Sequence, residues 1–233
     1  KSTGNCLYQE RILLYMNYDS VPLRDFKELN DWETVIFVYQ SALKQVETKI
    51  DILNGEFQHV HQYNPIEHIK TRIKTPESIV KKLRRYGHET SIENMVRYVN
   101  DIAGIRISCS FTSDIYLIAD MISKQNDLTI LARRDYMKNP KKSGYRSYHM
   151  LVTTPVFLSD SIIDTKVEIQ IRTVAQDFWA TLEHKMHYKF EGDGPDYITK
   201  ELRECARYVA ELDTRMEELN NEIQKYGKLS DKK

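Results

Sequence analysis

The run Lys166-Val-Glu-Ile-Gln-Ile-Arg172 alternates without exception. Val167, Ile169 and Ile171 fall on one side of an extended chain, and Lys166, Glu168, Gln170 and Arg172 form a row on the other. A helix would scatter these side chains around its circumference, so the segment predicts a strand with one buried and one polar face. Gly104 to Phe111 repeats the pattern, with Ile105, Ile107, Cys109 and Phe111 opposite Arg106, Ser108 and Ser110. Two half-buried strands require a sheet whose apolar face is covered by something else.

The cover is written in the flanks. Trp32, Ile36, Tyr39, Leu43, Val46, Ile50 and Leu53 recur at steps of three and four, one stripe of an amphipathic helix. A second stripe runs through Leu202, Cys205, Val209, Leu212, Met216, Leu219, Ile223 and Tyr226. It keeps a heptad spacing, which suits packing on its own domain or on the same helix of another subunit. Between these helices, Thr75-Pro76-Glu77 marks a helix start that Gly87 can end, and Thr90 with Glu93 has capping-box spacing. A helix from Ser113 to about Gln125, strands near 128–133 and 147–154, and a helix over Val174–Phe190 complete the order. No repeat or low-complexity tract interrupts it. The expectation is an α+β fold, a mixed sheet of about five strands flanked by helices, with long N- and C-terminal helices. Residues 1–30 form a segment of unassigned role, 31–195 the central domain, and 196–233 a C-terminal amphipathic helix and candidate oligomer interface.

Three widely spaced cysteines, Cys6, Cys109 and Cys205, suggest neither a disulfide framework nor a zinc knuckle. No apolar run approaches a membrane span and no leader pattern is visible, so a soluble cytoplasmic protein without membrane contact is expected. The 34 basic and 34 acidic residues cancel, which at first sight argues against polyanionic ligands. The distribution reverses that impression. Lys70–Arg85 carries seven cations against the single acid Glu77, a net +6, and Arg133–Tyr148 carries six against Asp135, a net +5. The balancing acids lie elsewhere, eight of them between Asp196 and Lys225.

In the first basic segment, Arg72 and Lys74 precede a helix N-terminus whose free N–H groups favour phosphate. Ser78, Lys82 and Arg85 can share a face of that helix, along which a polyphosphate could run. The second segment interleaves aromatic and cationic residues around Gly144, the mixture that stacks a base and holds its phosphates. Tyr145 is its most exposed stacking candidate, and single-stranded RNA suits such a loop as well as a mononucleotide does. Asp101 and Glu168, on neighbouring elements, are suitable oxygen ligands for a Mg²⁺ ion carrying a nucleotide phosphate. His184 and His187 lie three apart, but no third metal ligand is placed by spacing, so they read as structural.

Four ordered motifs carry a resemblance: Arg72-x-Lys74-x-x-x-Ser78, Asp101-Ile-Ala-Gly-Ile-Arg106, the loop from Asp135 through Lys141, Gly144, Tyr145 and Ser147 to His149, and Glu168-Ile-Gln170-Ile-Arg172-Thr. Together they resemble the synthetase domain of the RelA/SpoT family over roughly residues 60–190. Tyr63–Lys70 and the run Asp177-Phe-Trp-Ala-Thr-Leu-Glu-His184 are most similar to its small stand-alone alarmone synthetases of the RelP and RelQ kind. The resemblance implies a nucleotidyltransferase-like synthetase fold and transfer of the β,γ-pyrophosphate of ATP to the 3′-hydroxyl of GDP or GTP, giving AMP and ppGpp or pppGpp, the stringent-response alarmone. It further implies that Arg72 and Arg106 sandwich adenine while Lys74, Ser78, Lys82 and Arg85 hold the ATP phosphates. Asp101 and Glu168 would bind Mg²⁺, with Glu168 also the candidate general base. Tyr145 would stack on guanine, with Lys141, His149, Arg134 and Gln170 near the acceptor nucleotide.

Long members of the family add a hydrolase domain and regulatory domains, for which no motif is found here, so a synthetase without hydrolase activity is expected. Small members are typically homotetramers, which gives the closing helix an interface role and leaves RNA, if it binds, a regulator. Two other classes fit parts of the pattern: an RNA-binding module without turnover, recognisable by salt-dependent affinity, and another nucleotidyl transferase, which would release pyrophosphate instead of AMP.

Overall fold

The computed structural model describes residues 31–189 and 196–230. The segment 1–30 with Cys6, the end of the helix expected at Phe190 and the last three residues lie outside the described residues. Among the described residues no helix is long and apolar enough to cross a membrane.

Helix α1 (Trp32–His61) begins where Asp31 accepts hydrogen bonds from the backbone N–H groups of Glu33 and Thr34 at 2.7 and 3.0 Å. It ends at Gln62, in the left-handed region with φ 53°. Its stripe Val35, Val38, Tyr39, Ala42, Leu43, Val46 and Ile50 is buried across the sheet. Then come β1 (Ile66–Ile73), α2 (Pro76–Arg85), α3 (Ile92–Tyr98), β2 (Ala103–Cys109), α4 (Thr112–Ser123), β3 (Thr129–Asp135), β4 (Tyr148–Phe157), β5 (Ile162–Thr173), α5 (Val174–Lys189) and α6 (Asp196–Ser230). The five strands form one sheet in the order β1-β2-β5-β4-β3. β2 and β5 are parallel, and the other three pairings are antiparallel. This is the mixed five-stranded α+β arrangement expected.

The apolar alternation does what it predicts. Ile105, Ile107, Val167, Ile169, Ile171, Met150 and Val152 are essentially inaccessible and share one core with α1, α2, α3 and α4. Thr75 caps α2 by accepting from Ser78 N–H at 3.3 Å, with Pro76 in the first turn.

Several local expectations change. Strand β1 is not anticipated, because Ile-Glu-His-Ile-Lys-Thr-Arg-Ile lacks clean alternation. It is an edge strand with only Ile66 buried, and charged side chains suit such an edge. The cap of α3 is Ser91 and not Thr90: its hydroxyl accepts from Asn94 N–H at 3.1 Å. Phe111 leaves the β2 alternation and precedes α4, where Asp114 accepts its N–H. Cys205 is exposed, and Ala206, one position on, is buried. Beyond it Leu212, Met216, Leu219 and Ile223 remain 47–68% exposed.

The polar row of β5 is also not a uniform site floor. Its first member turns away to structural work: Lys166 is 5% exposed and donates to the carbonyls of Val96 and Arg97 at 3.0 and 3.2 Å and to Asn100 Oδ1 at 3.0 Å. A buried cation at the C-terminal end of α3 complements the carbonyls left without helical partners. Lys166→Met keeps the side-chain length but leaves those acceptors dry. It is expected to destabilise the fold by roughly 2–4 kcal/mol, read as a lower urea midpoint at unchanged slope.

Candidate active site

Pairing register assembles the site. On the face opposite α1, Lys70 (β1) pairs with Arg106 (β2), Arg106 with Gln170 (β5), Gln170 with His149 (β4), and His149 with Arg134 (β3). One row crosses all five strands. The adjacent row runs Arg72, Gly104, Glu168, Leu151, Ala132. Six candidates separated by up to about a hundred residues in sequence thus lie side by side, because equivalent positions on paired strands share a face.

At the β1 end, Asp101 precedes β2 and is held by two ammonium groups, Lys74 Nζ at 3.0 Å and Lys82 Nζ at 2.7 Å, with Arg72 Nη2 at 3.9 Å. Lys74 arrives just beyond β1 and Lys82 from the second turn of α2, so the short connection from β1 into α2 brings both to one carboxylate. Burial alone would raise the Asp101 carboxyl, but Lys82 and Lys74 overcome it and take it down to about 2. Ser78 and Arg85 stand exposed on α2. The Ser78 hydroxyl accepts from Thr75 at 3.0 Å, and the Arg85 guanidinium lies 5.5 Å from the centre of the Tyr86 ring.

At the β3 end, the loop after Asp135 folds an aromatic cage over the sheet. The Tyr145 hydroxyl lies 2.9 Å from His149 Nε2, and the Tyr136 ring meets both Tyr145 and His149 edge-on, with centroids 6.2 and 5.1 Å apart. Lys141 Nζ lies 4.7 Å from the centres of the Tyr136 and Tyr145 rings. Tyr145, expected to be the most exposed candidate, is only half-exposed, since its hydroxyl is occupied by His149 and its ring is packed from behind.

Glu168 lies between the two ends. Gln170 Nε2 donates to its Oε2 at 2.9 Å and His149 Nδ1 is 3.6 Å from its Oε1. Burial pushes the His149 ring below the usual histidine range, keeping it neutral near pH 7. For Glu168, burial is outweighed by His149 and the Gln170 amide, so its carboxyl stays below the usual range and ionised. A neutral His149 protonated on Nδ1 presents that N–H toward Glu168 and leaves Nε2 to accept from Tyr145.

Two residues of the site were not read as such from the sequence. Tyr136 was one aromatic among 15 tyrosines. Asp177, in the first turn of α5, was noted only within a motif, yet it meets three cations from three strands: Arg172 Nη2 at 2.8 Å, Lys70 Nζ at 3.6 Å and Arg106 Nη1 at 3.7 Å. Arg172, in the polar row of β5, is 2% exposed and therefore anchors the row to α5. The only signal was Asp177's position five residues after Arg172, where a strand passes directly into a helix. His184 is exposed, the His187 side chain is outside the described residues, and no group of three or more metal-ligating side chains occurs among the described residues.

Residues 71–193 match the model of the region found in RelA/SpoT proteins. The GTP pyrophosphokinase YwaC of Bacillus subtilis is 44% identical over 195 residues, covering 84% of this chain and 93% of the relative. The crystal structure of small alarmone synthetase 2 from Bacillus subtilis superposes with a TM-score of 0.75 at 43% identity, covering 82% of this chain and 99% of that one. That of small alarmone synthetase 1 from the same organism, bound to its product pppGpp, gives 0.77 at 34% identity, covering 83% and 98%.

The Asp101 cluster makes a pH-dependent contribution with a definite sign. A carboxyl at about 2 in the fold against 3.8 ordinarily adds stability above pH 4 that is lost as pH falls toward 2. Lys82→Met should move the Asp101 titration upward, toward the ordinary carboxylate value, followed through its carboxyl ¹³C shift. An unmoved midpoint would mean that Lys82 does not hold that charge.

Proposed function

The chain belongs to the RelA/SpoT family, and from that membership we propose that it is a (p)ppGpp synthetase, a GTP pyrophosphokinase moving the β,γ-pyrophosphate of ATP to the 3′-hydroxyl of GDP or GTP. The observation that carries this reading is the register row. It sets Arg106, Gln170, His149 and Arg134 in line, with Glu168 beside them, between a cationic corner and an aromatic cage.

ATP occupies the β1 end in this proposal. Arg72 and Arg106 take the adenine, and Lys74, Lys82, Ser78 and Arg85 the phosphates. The guanine nucleotide occupies the cage, its base against Tyr145 and its anionic groups near Lys141 and Arg134. The 3′-oxygen bonds to the β-phosphorus as the bond from that phosphorus to the α,β-bridging oxygen breaks, and AMP leaves. The hydroxyl proton goes to Glu168. A carboxylate below the usual range is a weak base, so Glu168 orients the hydroxyl and takes its proton late, as bond formation makes that proton acidic. His149 and Gln170 hold the carboxylate in place. Most of the rate enhancement then comes from aligning two anionic substrates and neutralising charge between them.

The donor set fits Mg²⁺: Asp101 and Glu168 are hard oxygen ligands, and this ion commonly takes one or two carboxylates with substrate phosphates completing its shell. When bound it would neutralise phosphate charge at the transferring group. Phosphates that draw Lys74 and Lys82 toward themselves leave the Asp101 oxygens open for it. We further propose that the enzyme acts in the cytoplasm as a homotetramer, with the exposed α6 stripe covered by a second copy.

Incubation with Mg²⁺, ATP and GDP or GTP is expected to yield AMP and the 3′-pyrophosphorylated nucleotide. Glu168→Gln should lower kcat about a thousandfold or more with an unchanged urea midpoint. Release of pyrophosphate in place of AMP would identify a different transferase, and full activity in the variant would remove Glu168 from the chemistry. For the assembly, Leu212→Glu with Leu219→Glu puts charge in the exposed stripe and should reduce the mass by light scattering from four chains to fewer. An unchanged mass would place the interface elsewhere.

A further inference from the structure

Helix α6 is remote in sequence from every residue assigned to substrate, yet it touches the acceptor loop at two points. Arg203 Nε donates to the carbonyl of Lys142 at 3.0 Å. Ala206, 2% exposed, lies against Gly144, where a methyl group added to the glycine would come 2.5 Å from the Ala206 Cβ. The turn between these contacts closes on itself, with Gly144 N–H bonded to Lys141 O at 2.8 Å and Lys141 N–H to Tyr145 O at 3.1 Å. Gly144 has φ +91°, a conformation that side chains with a Cβ rarely adopt. Backbone and neighbour therefore both require glycine there.

The same stretch of α6 builds a small second core. Trp179 and Ala180 of α5 pack with Ala206, and Tyr145 and Val209 lie against them. Trp179 is fixed by its indole N–H, which donates to Leu202 O at 2.9 Å. About two turns beyond Ala206, Asp213 accepts from Thr173 at 2.8 Å and from Gln176 at 2.9 Å, fastening α6 to the end of β5 and the start of α5. Tyr145 is thus held from the sheet side by His149 and from behind by a cluster that exists only when α6 is docked.

We propose that Arg203 and Ala206 are positioning residues for the acceptor nucleotide: α6, through these two contacts, sets the 141–145 turn so that Tyr145 meets the guanine base. This rests on the reading of Tyr145 and Lys141 as the guanine-nucleotide site. The ATP end lies at the opposite edge of the sheet, and none of the contacts described there involves α6. The effect is therefore confined to one substrate.

Arg203→Ala on the full-length protein removes one hydrogen bond at an exposed position and is expected to raise KM for GDP and GTP roughly three- to tenfold, with KM for ATP within about twofold. Arg203→Lys, which retains a donor, should recover part of that loss. Ala206→Val presses two more methyl groups on Gly144 and should act in the same direction more strongly. Arg207→Ala, whose partners are Glu204 and Glu211 on α6 itself, should leave both KM values near wild type. Equal rises in both KM values for Arg203→Ala, or an unchanged acceptor KM in both Arg203→Ala and Ala206→Val, would overturn the proposal. Hydrogen exchange keeps it separate from the assigned reaction. If the wild type makes no AMP from ATP and GDP, faster exchange in 136–147 alone in Arg203→Ala still supports the buttress, and unchanged exchange refutes it.

Discussion

The parallel pairing of β2 with β5 is the constraint from which the rest of the site follows. It sets Gly104 beside Glu168 and Arg106 beside Gln170 in the middle of the sheet, with antiparallel neighbours on both sides. A slip of one residue would turn the apolar set of the strand that moves, Ile105 and Ile107 or Val167, Ile169 and Ile171, out of the core and its polar residues into it. Those five side chains are essentially inaccessible, so burial of apolar surface fixes the register at some kcal/mol per misplaced residue. The arrangement of the polar row is thus enforced by the hydrophobic face on the other side of the sheet.

Charge is organised on that frame by two aspartates. Asp101 gathers Lys74, Lys82 and, more distantly, Arg72; Asp177 gathers Arg172, Arg106 and Lys70. Without these anions, cations packed this closely would repel one another and splay into solvent. The two hubs differ in their partners. Asp177 has its principal partner in the buried Arg172, which makes it a fixed strut between β5 and α5. Asp101 is held by the half-buried Lys74 and Lys82 ammonium groups, which keep its carboxyl well below the usual range. An overall charge of zero is therefore compatible with binding two anionic nucleotides: the neutralising acids are partly inside the site and partly on α6.

Legibility followed physical range. Alternation revealed β2 and β5 because one buried face forces a period of two, and the start of α2 was visible because capping is a local bond between residues three apart. Edge strand β1 was invisible, since it buries little and its ladder comes from β2. The candidate residues were found through motif resemblance and charge density. The geometry then brought Arg106, Gln170, His149 and Arg134 into one row while removing Lys166 to the α3 carbonyls. Asp177 and Tyr136 were passed over because neither carries a local signal: an aspartate in the first turn of a helix and a tyrosine among many are ordinary, and only neighbours from three strands or a facing ring make them otherwise. The α6 stripe was read one residue out of phase at Cys205, because an alanine packed against a glycine contributes almost nothing to an apolar pattern.

What the sequence determined by itself was everything a few neighbouring residues can decide: which segments are strands or helices, which faces are apolar, where cations concentrate, and a motif order specific enough to a family. Only the tertiary structure decided which polar residues meet. Strand pairing joins positions tens of residues apart through backbone groups common to every residue type, and α5 and α6 dock through side chains such as Trp179 and Asp213 whose partners lie more than twenty residues away. Side-chain identity therefore says little about the partner until the chain has folded.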